Sequence, residues 1–149
     1  MLSKLYIAAT ALIVLLAYAS NGQQSGTHFK HLTTEQGLSQ SVPTAIAQDK
    51  QGFIWIGTLN GLNRYDGYTM QTYLAGTDSS TLVNNEITDL LVDHKNRLWV
   101  ATNFGLSVFH PKKNTFKTIV TPNMQGRKKV VTLFQGRDNK IWIGAQQGL

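Results

Sequence analysis

The sequence predicts an all-β chain built from repeated antiparallel sheets, and three observations predict it. Trp55, Trp99 and Trp142 stand 44 and 43 residues apart, and Gly61, Gly105 and Gly148 keep the same two intervals, as do Leu62, Leu106 and Leu149. Between these landmarks lie short runs rich in β-branched and aromatic residues, bounded by turn residues. Beyond the N-terminal apolar stretch, no segment sustains helical periodicity over ten residues. A period in the low forties fits propellers or helical repeats of similar length, and the two-residue patterning selects the propeller. The expected architecture is an incomplete β-propeller, with nearly three four-stranded antiparallel blades after an N-terminal signal peptide helix.

The elements follow in order. His28–Thr33 reads as one extra strand, which in a closed ring would complete the last blade. Blade one (42–74) takes strands at Thr44–Gln48, Phe53–Thr58, Leu62–Tyr65 and Thr69–Leu74. Blade two (87–120) takes Ile87–Val92, Arg97–Thr102, Leu106–His110 and Thr115–Val120. Blade three (129–149) takes Val130–Gln135 and Lys140–Ala145 before the sequence ends at Gly148-Leu149, inside a strand pair, and this reads as a truncated product. Asp49-Lys50-Gln51-Gly52, Asp93-His94-Lys95-Asn96 and Arg137-Asp138-Asn139 are tight turns. Asp accepts backbone hydrogen bonds there, and Gly or Asn takes the left-handed conformation. Gly136 stands where the other units have Asp49 and Asp93, which weakens the third turn; Ala101 stands where they have Gly57 and Gly144, a change expected to be neutral. The polar stretches Ala75–Glu86 and Thr121–Lys129 carry the chain from the outer strand of one blade to the inner strand of the next.

The N-terminal residues have a separate job. Lys4 precedes an apolar run from Leu5 to Ala17, and Ala17-Tyr18-Ala19 supplies the small residues of a cleavage site after Ala19. This is a secretory signal (1–19), because about 13 apolar residues fall short of the roughly 20 that cross a bilayer. Export without a single cysteine leaves packing alone to hold the domain together, and it excludes disulfides and thiolate chemistry. The formal charge of +6 is concentrated late: Lys112, Lys113, Lys117, Arg127, Lys128, Lys129, Arg137 and Lys140 face only Asp138. These are read as solvated loop and edge residues that discourage edge pairing rather than as a nucleic-acid surface.

The units FIWIGTLNGLNRYDG, RLWVATNFGLSVFHP and KIWIGAQQGL resemble the two-component-regulator propeller repeat. The opening FKHLTTEQGLSQSVPTAIAQD resembles the start of the periplasmic sensor region of Bacteroidetes-type hybrid two-component histidine kinases. The resemblance implies a receptor segment: periplasmic, with its parent anchored in the inner membrane, sensing a glycan-derived oligosaccharide, and joined to further propeller blades and a kinase. It also implies that this chain has no signalling output of its own.

The residues carry no recognisable catalytic constellation. His28, His31, His94 and His110 lack metal-ligand spacing, Asp66-Gly67 lacks the ligands of a calcium loop, and no phosphate-binding glycine loop or nucleophile elbow occurs. No cofactor and no metal are expected. Trp55, Trp99 and Trp142 recur in every unit, so they are assigned to packing between blades rather than to sugar stacking; Gly61, Gly105 and Gly148 are assigned to turns. Ligand contacts should instead differ between units and lie in turns at one rim, which points to Asn60, Asn63, Arg64, Asn103 and Phe104. Three functions compete: a non-enzymatic sensor segment, a self-assembling interaction module joined through open blade edges, and a propeller lyase or hydrolase. The sensor is favoured and the enzyme ranks last.

Overall fold

A computed structural model describes residues 29–120 and 128–146. The signal sequence, Arg127, Gly148 and Leu149 lie outside the described residues. Leu32 onwards forms one compact unit. Its strands are β1 (Pro43–Gln48), β2 (Ile54–Thr58), β3 (Gly61–Tyr65), β4 (Met70–Tyr73), β5 (Ile87–Val92), β6 (Leu98–Thr102), β7 (Gly105–His110), β8 (Thr115–Ile119), β9 (Val130–Gln135) and β10 (Ile141–Ala145). They form two four-stranded antiparallel meanders, β1-β2-β3-β4 and β5-β6-β7-β8, and a two-stranded sheet, β9-β10. Each predicted strand of the three units is present within one residue at either end.

Residues 29–33 pair with no strand among the described residues, and Thr34–Gln36 is a 3-10 turn; the expected extra strand would need the last blade of a closed ring as its ladder partner. Thr33 caps the turn while the Gln36 side chain accepts from the Thr33 N–H at 2.9 Å.

The blades repeat one turn. In blade one, Asp49 Oδ1 accepts from the N–H groups of Gln51 (3.0 Å) and Phe53 (3.1 Å), and Oδ2 accepts from Trp55 Nε1 at 2.8 Å. Blade two copies it: Asp93 Oδ1 accepts from Lys95 N (3.0 Å) and Arg97 N (2.8 Å), and Oδ2 accepts from Trp99 Nε1 at 3.0 Å. A carboxylate six residues before the tryptophan thus fixes both the hairpin turn and the indole. Gly52 (φ 90°), Asn96 (φ 60°) and Asn139 (φ 63°) supply the left-handed residue the turn requires. Blade three keeps the backbone turn, with Asn139 N donating to Gly136 O at 3.0 Å, but Gly136 brings no carboxylate to Trp142.

The three tryptophans are buried to decreasing degree. Trp55 is 1% exposed and packs edge-on against Phe109 of blade two, ring centroids 4.9 Å apart. Tyr73, Phe109 and Phe116 complete the cluster, with Tyr73–Phe116 at 5.4 Å and Phe109–Phe116 at 5.1 Å. Each such pair contributes about 1 kcal/mol beyond its area. Trp99 is half-buried against a smaller cluster of Ala101, Leu106, Val130 and Leu133, and Trp142 is 49% exposed.

The inner strands sit side by side, β1 by β5 and β5 by β9, and size complementarity sets their approach. A Cβ on Gly57 would lie 2.5 Å from Ile87 Cγ2. One unit later Ala101 meets Val130 instead of an isoleucine. Gly57→Ala should cost about 1–3 kcal/mol by overpacking. Ile87→Ala removes the Cγ2 that the new methyl would meet, so in the same chain it should recover part of that loss, and the two changes should be non-additive in a denaturant-unfolding cycle. Strict additivity would separate the two positions.

Asp93 gives a second prediction. Its carboxyl is fully buried and paired with Arg97 Nε at 2.6 Å. Burial pushes its pKa up, but the hydrogen bonds from Trp99 and Arg97 and the Arg97 charge outweigh this and hold it below 3.8. A folded-state pKa below the unfolded one gives stability that is full above pH 4 and lost as pH falls through the folded value. Asp93→Asn should flatten that acid limb of the stability curve, and Asp93→Ala should cost about 3 kcal/mol at neutral pH. Gly136→Asp should raise stability by about 1 kcal/mol, since the atom nearest its new Cβ is the movable end of the Asp138 side chain (2.7 Å) and the new carboxylate can accept from the Trp142 indole N–H. Urea unfolding across pH 2–7 checks all three.

Candidate functional site at the rim of the second blade

The β2–β3 and β6–β7 turns lie at one rim together with the connection from β4 to β5. Thr58 Oγ1 donates to Gly61 O (3.0 Å) and accepts from Asn60 N (3.0 Å); Thr102 Oγ1 donates to Gly105 O (2.9 Å) and accepts from Phe104 N (3.1 Å). Gly61 (φ 115°) and Gly105 (φ 131°) adopt backbone that other residues resist. Both threonines are fully buried. In blade three this position is Ala145.

The five rim residues predicted from sequence separate into four settings. Asn63 is fully buried and has no part in an open rim. Its Nδ2 donates to Ser39 Oγ (2.8 Å) and Ile56 O (3.1 Å), while Oδ1 accepts from Ser39 N (3.0 Å) and Thr72 Oγ1 (3.0 Å). Arg64, on the other side of β3, lays its guanidinium over Phe53 (4.7 Å), Trp55 (5.6 Å) and Tyr73 (5.9 Å) and donates to Gln71 Oε1 at 2.7 Å. Burial raises the Tyr73 phenol pKa, partly opposed by that Arg64 charge. Asn60 is exposed in its turn and reaches only Ser39 O, at 3.4 Å.

Asn103 and Phe104 stand in a different setting. Asn103 Nδ2 donates to Glu86 Oε2 and Asn103 N donates to Glu86 O at 3.0 Å. Its Oδ1 is buried and has no hydrogen-bond partner among the described residues. Phe104 is 47% exposed and lines a cavity of about 460 Å³, together with Asp78, Thr81 and Val83 of the connection, Thr118 near the end of β8, and Lys128. The connection is well ordered by its own bonds. Thr81 N donates to Asp78 O (3.1 Å), Gly76 N donates to Thr81 Oγ1 (2.9 Å), and Phe116 N of β8 donates to Ser80 O (2.7 Å). Hydrogen bonds from Ser80 lower the Asp78 carboxyl pKa, so it is anionic at neutral pH.

Sequence reasoning missed the structural half of these connections. Leu38 and Leu82, 44 residues apart, are 6% and 2% exposed. The next residue is pinned in both blades, Ser39 N to Asn63 Oδ1 and Val83 N to Ser107 Oγ (3.2 Å). The interval was available as a signal, but a polar loop hides a single buried leucine. The basic residues divide among different places: Lys112 and Lys113 in the β7–β8 turn, Lys117 on β8, Lys128 and Lys129 before β9, and Arg137 and Lys140 about the β9–β10 turn. Lys140 pairs with Asp138 at 2.9 Å. Among the described residues no group of three or more His, Asp or Glu side chains is placed to hold a metal ion, and no helix is long and apolar enough to cross a membrane.

The comparisons with known proteins agree with this architecture. The family model described as two component regulator propeller matches residues 37–60 and 81–104. Each match runs from the pinned segment before an inner strand through the next rim turn. Histidine kinase P4 of Formosa agariphila is 41% identical over 73 residues, covering 49% of this chain and 5% of that protein. The extracellular domain of the BT3049 hybrid two component system from B. thetaiotaomicron superposes with a TM-score of 0.67 at 27% identity, over 76% of this chain and 17% of that one. That of BT4673 gives 0.60 at 23% identity, over 83% and 16%. The chain thus spans a small part of each relative. Residues 37–60 and 81–104 match the two component regulator propeller model, and the chain shares the fold of the matching part of those extracellular domains.

Proposed function

We propose that this chain supplies ligand-sensing blades to the extracytoplasmic propeller of a two-component receptor, exported to the periplasm and coupled to a histidine kinase in the inner membrane. The observation that carries the reading is the repeat itself, two family-matched units in register with a third, in a fold shared with extracellular domains of hybrid two-component systems. The ligand is a glycan-derived oligosaccharide, bound by rim loops that differ between blades; the blades themselves are scaffold and perform no chemistry. Binding would shift the packing between blades and so bias the receptor between two states. The remaining blades of the receptor are the nearest partners.

A second reading, self-association, has its own support. Ile46 is 70% exposed on blade one, where the equivalent Leu90 is 8% exposed against blade one's neighbouring cluster. Phe134 (64%) and Trp142 (49%) are exposed on blade three. Both faces ask for an apolar neighbour, which is either another blade of a longer chain or a second copy. Sedimentation of the purified chain should show concentration-dependent association; a monodisperse monomer with a cooperative thermal transition would contradict it.

The sensor reading is tested in cells grown on single polysaccharides. Deleting the coding region for residues 32–149 in frame should abolish the transcriptional response to one polysaccharide class and leave growth on glucose unchanged. A response that survives the deletion would contradict the proposal.

A further inference from the structure

We propose that the cavity beside the β6–β7 turn is the sugar-binding subsite of this chain, with Phe104 as the stacking platform for one pyranose ring. The inference rests on the oligosaccharide reading above and adds the place and the residues. Its volume, about 460 Å³, falls within the roughly 300–1,000 Å³ of small-molecule sites. Its lining has the two chemistries that a pyranose presents. A ring face carrying axial C–H groups packs on an aromatic side chain, and Phe104 is a large apolar group left 47% exposed in a tight turn. The ring edge carries hydroxyls that each donate and accept. The lining offers an anionic acceptor in Asp78, hydroxyls in Thr81 and Thr118, and a cationic donor in Lys128.

One feature sets this turn apart from its counterpart in blade one. Phe104 replaces Asn60 at the same repeat position, 44 residues on, so the platform belongs to one blade and is not part of the shared packing. The connection that forms the opposite wall is held by its own hydrogen bonds and by the bond that Phe116 N of β8 donates to Ser80 O, so this wall is formed before a ligand arrives.

The test uses the full purified chain and four probes: cellohexaose, xylohexaose, laminarihexaose and an alginate hexamer. Each is titrated by calorimetry and by amide chemical-shift mapping. The expected result is that at least one probe binds and shifts the amides of Phe104, Gly105 and Thr118. Phe104→Ala should then weaken binding by about tenfold or more, and Phe104→Tyr should restore it. Blade-one amide shifts, unchanged between variants, show that the fold is kept. If a probe binds but Phe104→Ala leaves its affinity unchanged and the shifts map elsewhere, the subsite is overturned while the oligosaccharide reading stands. If no probe binds at millimolar concentration, both are overturned.

Discussion

The structure depends on a carboxylate that does two jobs at once. Asp49 and Asp93 each close a hairpin turn with one oxygen and hold a tryptophan indole with the other. The turn sets the register of the first two strands of a blade, and the indole sets how the blade faces its neighbour. A single residue therefore links local chain reversal to the packing between repeats. At Asp93, where the carboxylate is buried, its bonds to N–H donors are worth more than at the surface, and losing it would leave those donors unpaired.

The aromatic cluster shows what the clasp positions. Trp55, Tyr73, Phe109 and Phe116 come from two blades and meet at edge-on or tilted angles, roofed by the Arg64 guanidinium. The contact is asymmetric: the tryptophan-bearing face of one blade meets the following blade, so each blade needs the next to bury it. Burial accordingly falls from Trp55 to Trp99 to Trp142. Blade three also lacks both small fasteners of its predecessors, Gly136 replacing the aspartate at one rim and Ala145 the threonine at the other. Its fold is carried by the backbone ladder and by links to β5, among them Leu133 N donating to Asp89 Oδ2 at 2.7 Å.

The repeat made most of the fold legible. Trp, Gly and Leu intervals placed the blades, and period-2 runs placed the strands, because both follow from side chains that recur wherever the backbone recurs. The extra strand expected before blade one needs a ladder partner from the last blade of a ring, which these repeats alone do not supply. The site was less legible. Asn63 and Asn103 both read as polar corner residues, yet Asn63 is a buried fastener satisfied at four points, and only the fold brings Ser39 and Thr72 to it. Phe104 was singled out because it breaks the repeat at an exposed turn. Asp78, Thr81 and Thr118, which line the cavity beside it, were not, since the wall they form depends on a connection folding against the outer strand of the following blade.

These two layers divide the work of the protein. Residues that repeat hold the disc together, and residues that depart from the repeat are free to recognise something. The central structural claim, that the aspartate clasp and the next blade together determine how firmly each tryptophan is held, has a direct test in the three indole N–H groups. Their hydrogen exchange, followed by NMR on the intact chain, should show the indoles of Trp55 and Trp99 protected and that of Trp142 exchanging much faster. Equal protection at all three, or a protected Trp142 beside an exposed Trp55, would contradict the account.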